Sequence, residues 1–228
     1  DLGDFDYSQR GIEFFYTRQQ APPGRTKPPG TGAAVAAAES FVDNEHFVVA
    51  YGDTIINTMR TPNLIGRMID AHVKHKASCT VGVRPVSPDL VSLYGVVDPV
   101  DGGELDNDSF AIKDILEKPS AAEAPSNMAV SARYIFGPEI FDQIRQVKPS
   151  SEGEIWLTDA IKGLIRDGHE VRCVSLKQDE RRYDIGSHLS YYKAFIDFAL
   201  QDPDCGEDIL DYLRMCADAG HGAVATGD

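Results

Sequence analysis

Positive charge is scarce in this sequence. Its 228 residues carry 22 lysines and arginines against 36 aspartates and glutamates, a formal net charge of −14. Such a surplus repels phosphate backbones and anionic headgroups, so neither nucleic acid nor a membrane surface is an expected partner. An anionic small molecule would have to be drawn by a local basic pocket, not by the bulk field. Cysteine is scarce too. Cys79, Cys173, Cys205 and Cys216 show no C-x-x-C pair and no zinc spacing. The six histidines, His46, His72, His75, His169, His188 and His221, have no ligand spacing. No repeat and no linker interrupts the chain, and Ser187 and the cysteines fit no nucleophile–base pattern. A long apolar run is also missing, and a reducing cytoplasm is the expected compartment.

What is present suits one globular domain over residues 1–228, with a small, polar tail from about 219 to 228 expected to fray. Apolar residues make up 42% and charged residues 25%. Strands are expected at Gly11–Thr17, His46–Tyr51, Cys79–Pro85, Tyr94–Pro99, Phe110–Glu117, Met128–Phe136 and Glu170–Leu176. Helices are expected at Ala33–Phe41, at Pro62–Lys76 with Pro62 in the first turn, after Gly137-Pro138, at Trp156–Asp167, at Ser190–Leu200 and at Glu207–Ala217. An acidic hairpin rich in glycine and asparagine lies between Asp101 and Ser109. Alternation of strands and helices argues for an α/β sandwich with a mostly parallel sheet. On such sheets ligands sit beyond the carboxyl ends of strands, where Asp53 and Glu117 fall.

Three short constellations carry possible chemistry. Gln19, Gln20 and the Gly30-Thr31-Gly32 run precede a helix, and glycines there let backbone approach a flat or anionic group closely. The same residues also make an ordinary helix entry. Asp53, in Tyr51-Gly52-Asp53, and Asp184, in Tyr183-Asp184-Ile185-Gly186, each read alone as a turn former or cap. Together they make a hard-cation pair, because Mg²⁺ takes one or two carboxylates and fills its shell with phosphate and water. Glu117-Lys118-Pro119 ends a strand with an acid–base pair. A carboxylate suits two sugar hydroxyls and an ammonium suits a phosphate, although exposed ion pairs at strand ends are common. Glu152 and Glu154 read as the acids of a helix start.

The run from Ile115 to Ile161, with Glu117-Lys118-Pro119 at one end and Gly153-Glu154-Ile155-Trp156-Leu157-Thr158-Asp159 near the other, resembles the core of bacterial UTP–glucose-1-phosphate uridylyltransferases. The upstream and downstream constellations match the same family in order. The resemblance implies a Rossmann-like nucleotide-diphospho-sugar transferase sandwich with a mixed, mostly parallel central sheet. It also implies roles. Gln19, or alternatively Gln20, and Gly30 would recognise uracil. Asp53 and Asp184 would hold Mg²⁺ against the nucleotide phosphate. Glu117 and Gly95 would meet the sugar, with Asn127 a weaker contact, and Lys118 would orient the sugar phosphate. Arg133 reads as structural. The implied reaction is in-line attack by glucose 1-phosphate on the α-phosphorus of UTP, with release of pyrophosphate, in a homodimer or homotetramer.

The sequence departs from that family in three places. Gly24 to Pro29 is an insertion between the glutamine and the Gly-x-Gly. Asp53-Thr54 stands where some relatives carry two adjacent acids. No Gly-x-Gly-Thr-Arg loop occurs, so the family's first strands and triphosphate loop are expected to lie outside the given residues. The stretch alone is therefore expected to be inactive, with open edges on the strands at Gly11–Thr17 and His46–Tyr51. Two other readings remain open: a nucleotidylyltransferase for another pair, with dTTP, CTP or ATP as donor, and a non-catalytic sugar-nucleotide-binding or regulatory subunit.

Overall fold

The computed structural model describes residues 11–19, 21, 24, 28–58, 60–101 and 109–218. Gln20, Arg25, Lys27, the acidic loop at 102–108 and the tail at 219–228 lie outside the described residues. The chain divides into two compact units: Asp1–Val49 with Thr61–Leu176, and Ala50–Arg60 with Lys177–Asp228.

The first unit is built on β1 (Phe47–Ala50), β3 (Cys79–Pro85), β4 (Gly95–Pro99), β5 (Ser109–Glu117), β6 (Met128–Phe136) and β7 (Val171–Ser175). β2 (Thr54–Asn57) belongs to the second unit. The strand order is β1-β6-β3-β7-β5-β4, and β4 pairs with β6 as well, so five of the strands close into a small barrel. β3 is central: Cys79 to Val83 are all buried, as expected for a β-branched, apolar run flanked on both sides.

The expected mostly parallel sheet is corrected here. β3 runs parallel to β7, whereas β3–β6, β4–β5, β4–β6 and β5–β7 are antiparallel. The cause is visible in the order of elements. β4, β5 and β6 follow one another without an α-helix between them, and only crossovers of a dozen or more residues make parallel neighbours. A second correction concerns residues 11–17, which form no strand. Ile12, Phe14, Phe15 and Tyr16 are exposed there, and Phe15 meets the Phe41 ring at 5.5 Å.

Helices cover the barrel with their apolar stripes. α1 (Thr31–Ala36) and α2 (Glu39–Val42) replace one expected helix. α3 (Leu64–His75) buries Leu64, Met68, Ala71 and His72, a helical period. It starts two residues later than expected: Pro62 lies ahead of the first turn, and Asn63 caps the helix by accepting from the Gly66 N–H at 3.0 Å. α4 (Glu139–Gln146) and α5 (Leu157–Arg166) bury Ile140, Phe141 and Ile144 on one side and Leu157, Ala160, Ile161 and Leu164 on the other.

His72 is a polar insertion in this core. Its Nδ1 lies 2.9 Å from Thr80 Oγ1 and its Nε2 2.8 Å from His46 Nδ1. Burial, and secondarily the neighbouring His46, lowers its pKa to about 4, with Glu139 opposing. A folded-state pKa below the unfolded value of about 6.5 means stability that is present above pH 6.5 and lost as pH falls toward 4. Urea unfolding should therefore show a loss of at most about 3 kcal/mol between pH 7 and pH 4 from this group, since one pKa unit is about 1.4 kcal/mol. In His72→Gln the same pH interval should be flatter; an unaltered slope would show that His72 carries none of it.

The second unit contains β2 and β8 (Arg181–Asp184), an antiparallel pair, with α6 (His188–Gln201) and α7 (Gly206–Asp218). Neither strand is expected from periodicity, because four residues are too few to show one. Ser187 and Ser190 form a reciprocal cap at the start of α6, which begins two residues ahead of the expected Ser190. Tyr183 packs on Phe198 at 5.1 Å, and Arg181 pairs with Asp197 at 2.7 Å. Among the described residues no helix is long and apolar enough to cross a membrane.

Candidate active site

Two clusters form in the first unit and one in the second. In the first, the Gln19 side-chain amide donates to the Gly30 carbonyl at 2.8 Å. Gly30 has φ 93° and ψ 177°, a conformation open essentially to glycine alone. Next to it, the Gly32 N–H donates to the Ile155 carbonyl at 2.8 Å, and the Ile155 N–H donates to the Pro29 carbonyl at 2.7 Å. The Leu157 N–H reaches Thr31 Oγ1 at 3.3 Å. The loop before α1 is thus zipped, backbone to backbone, onto the segment that starts α5. Glu154 is not a helix-start acid. It lies ahead of α5 and accepts from Trp156 Nε1 at 2.9 Å.

The second cluster brings β4, β5 and α5 to one point. Gly95 and Glu117 are direct register partners across the antiparallel pair. Thr158, buried in the first turn of α5, donates its hydroxyl to Glu117 Oε2 at 3.1 Å. A Cβ on Gly95 would lie 3.0 Å from Thr158 Cγ2 and 3.4 Å from Glu117 Oε2. What the glycine provides is room for that approach. Burial pushes the Glu117 carboxyl upward from its ordinary pKa, with Asp159 and Glu154 adding to it, while the Thr158 hydroxyl and the Lys118 charge pull it back.

Lys118 leaves the strand in a left-handed conformation, φ 45°, with its N–H on the Tyr94 carbonyl at 3.0 Å. Its side chain is exposed and makes no hydrogen bond or ion pair among the described residues. A non-glycine residue held at positive φ is strained by about 1–3 kcal/mol, and such strain clusters at working sites. Asn127 precedes β6 and is exposed; its carbonyl accepts from the Val86 N–H at 2.9 Å. Arg133 donates to the Ala132 carbonyl, a local backbone contact.

The third cluster is the acid pair. Thr54 and Asp184 are register partners on β2 and β8, and the Ile185 N–H donates to the Asp53 carbonyl at 2.7 Å. Both carboxylates flank Gly186: a Cβ there would be 3.2 Å from Asp184 Oδ1 and 3.8 Å from Asp53 Oδ2. Those two oxygens are therefore at most 7.0 Å apart, the two distances laid end to end. One Mg²⁺ needs them about 4 Å apart, a difference within reach of side-chain rotation. Asp184 Oδ1 also accepts from the Gly186 N–H at 3.1 Å and Oδ2 meets Arg182 Nη2 at 3.2 Å, which leaves lone pairs on both. Among the described residues no three or more His, Cys, Asp or Glu converge on a metal position. A cation here would draw its other ligands from water and phosphate, the ordinary habit of Mg²⁺.

A barrel-backed α/β unit with a glycine loop zipped to a Glu-Ile-Trp-Leu-Thr segment and a strand-end Glu-Lys, in a chain that also carries a turn-borne acid pair, has known relatives. The nucleotidyl transferase family model matches residues 5–200. The chain belongs to the nucleotidyl transferase family. It is 32% identical over 213 residues to the UTP–glucose-1-phosphate uridylyltransferase of Staphylococcus haemolyticus, covering 93% of this chain and 69% of that protein. Its fold is similar to that of UDP-glucose pyrophosphorylase complexed with UDP-glucose, at a TM-score of 0.69 and 30% identity over 76% of this chain and 64% of that one. It is similar too to a UTP-bound UDP-glucose pyrophosphorylase from Acinetobacter baumannii, at a TM-score of 0.70 and 31% identity over 82% and 62%. The chain thus spans about two thirds of the length of these relatives. Within the nucleotidyl transferases it is of the UTP–glucose-1-phosphate uridylyltransferase type. Two features of its site escape sequence reading: the Thr158 hydroxyl on Glu117 and the Ile155 backbone under Gly30. Both residues stand in the segment that carries the resemblance, but nothing in their spacing announces a partner 41 or 125 positions away.

Proposed function

We propose that residues 1–228 belong to one nucleotidylyltransferase domain, and that the intact protein joins UTP and glucose 1-phosphate into UDP-glucose and pyrophosphate. The observation that carries this reading is the Gly95–Glu117 pair with the exposed Lys118 ammonium beside it. A half-buried carboxylate suits sugar hydroxyls, and a point cation one residue on suits the sugar's phosphate. Gly30 and Gln19 would bound the uracil. Asn127 would add a sugar contact from the start of β6, and the Gly95 backbone another.

Asp53 and Asp184 fit Mg²⁺ by donor type and by their common approach to Gly186. When bound, the ion supplies charge neutralisation at the nucleotide phosphate. Lys118 would hold the nucleophilic phosphate oxygen in place, and Glu117 would fix the rotation of the pyranose. The chain's own contribution is positioning and electrostatics, which suits phosphoryl chemistry without a covalent enzyme intermediate. A cytoplasmic location and assembly as a homodimer or homotetramer follow from the same family reading; the mass in solution tests the latter.

Pyrophosphate release by the intact protein, from UTP and glucose 1-phosphate with Mg²⁺, is the direct test, with dTTP, CTP and ATP as competing donors. Preference for another donor would overturn the uridylyl assignment. Asp53→Asn and Asp184→Asn should each raise the Mg²⁺ concentration for half-maximal rate by at least about tenfold, since losing even a partner that only supports a ligand typically costs that much. An unchanged Mg²⁺ dependence in both would remove them as ligands.

A further inference from the structure

We propose that Thr158 is a positioning residue for sugar recognition: its hydroxyl clamps one oxygen of Glu117 so that the other is presented to the sugar. The proposal rests on reading Glu117 as the sugar ligand. The geometry has three parts. The Thr158 hydroxyl donates to Oε2 at 3.1 Å, and among the described residues this is the one hydrogen bond to the Glu117 carboxylate. Oε1 is left to bond elsewhere. Thr158 is 4% exposed, so its rotamer is fixed by the core. Its γ-methyl faces the bare Cα of Gly95, where an added Cβ would stand 3.0 Å away. Strand, strand and helix therefore lock the carboxylate in one orientation before a ligand arrives, which lowers the ordering cost of binding.

The surroundings explain why a donor is needed. Glu117 is desolvated and faces the charges of Asp159 and Glu154, all of which favour its neutral form, against Lys118 and Thr158 alone. A protonated carboxyl would offer one acceptor fewer to the sugar and one donor in the wrong place. A hydrogen bond to the charged form keeps the group an acceptor.

The same segment ties this device to the nucleotide side. Ile155, three residues before Thr158, makes the backbone bonds to Pro29 and Gly32. The beginning of α5 is thereby a shared wall for the glycine loop and the sugar carboxylate.

The test uses the intact protein with Thr158→Val, which keeps the methyl against Gly95 and removes the donor, and Thr158→Ser, which keeps the donor. Thr158→Val should raise KM for glucose 1-phosphate roughly tenfold, the loss of one charge-assisted hydrogen bond, with KM for UTP unchanged. The acid limb of kcat/KM should move to higher pH, because the carboxylate loses a group that favours its ionised form. Thr158→Ser should restore both. Added to Glu117→Ala, which removes the acceptor altogether, the valine substitution should cost nothing further, as expected of two residues acting as one unit. If Thr158→Val fails to fold, Thr158→Ala with the serine variant gives the same comparison. If Glu117→Gln impairs sugar binding while Thr158→Val changes neither KM nor the acid limb, the clamp is refuted and Glu117 keeps its role. If Glu117→Gln is itself silent, the sugar reading and the clamp fall together. A fully additive double variant refutes the clamp alone.

Discussion

Lys118→Ala should reduce kcat/KM for glucose 1-phosphate by roughly 10- to 150-fold, the effect of about 1.5–3 kcal/mol from one hydrogen bond to a charged group. KM for UTP should stay within about twofold. The size follows from the state of the side chain: its ammonium is exposed and makes no bond among the described residues, so its whole capacity is available to a phosphate. The comparison is clean in one respect. Lysine and alanine carry the same Cβ at a residue with φ 45°, so the substitution removes the charge without altering the backbone strain. The Lys118 N–H bond to the Tyr94 carbonyl survives too. Initial rates with each substrate varied in turn separate the two KM values. An unchanged rate at limiting glucose 1-phosphate would reject Lys118 as its phosphate ligand. Lys118→Arg should recover only part of the loss, because a planar fork and a compact point charge are not interchangeable at a site shaped for one of them.

How far the sequence could be read is decided by the range of the interaction in question. β3 and β6 are legible because apolar, β-branched runs bounded by turn residues are the local pattern of a buried strand. α3 is legible from Leu64, Met68, Ala71 and His72, one helical stripe. The direction of the strands is not, since pairing joins residues far apart in the chain. The available signal was three successive strands, β4 to β6, without an α-helix among them. Asp53 and Asp184 could be named as candidates, but only the β2–β8 register places both carboxylates about Gly186. Glu117-Lys118 was legible as chemistry. The hydroxyl on Glu117 was not, because Thr158 reads as an ordinary first-turn residue of an amphipathic helix. The start of α6 shows a subtler limit: its cap uses Ser190 where the familiar pattern has Glu or Gln.

Gly30→Ala should destabilise the first unit by about 2–6 kcal/mol, combining about 1–3 kcal/mol for a forbidden backbone conformation with about 1–3 kcal/mol for overpacking. A Cβ at this position would sit 2.7 Å from the Ile155 carbonyl oxygen and 2.8 Å from the Ile155 nitrogen. Both are backbone atoms engaged in the pairing that joins the glycine loop to the head of α5, so neither can rotate away. Relief would require the loop to separate from Ile155. That would break the Gly32 and Pro29 hydrogen bonds and release the Gln19 amide from the Gly30 carbonyl. The same movement would disturb Thr158, three residues along, and through it Glu117. Gly30→Ala should therefore lower the melting temperature and weaken both UTP and glucose 1-phosphate, unlike Lys118→Ala, which touches one substrate. Gly24→Ala is the control, since it shares a positive φ of 79° but a Cβ there meets nothing within 4 Å among the described residues. It should show the strain without the collision and lose markedly less. Equal losses for the two glycines would mean that conformation alone, and not contact with Ile155, requires glycine at position 30.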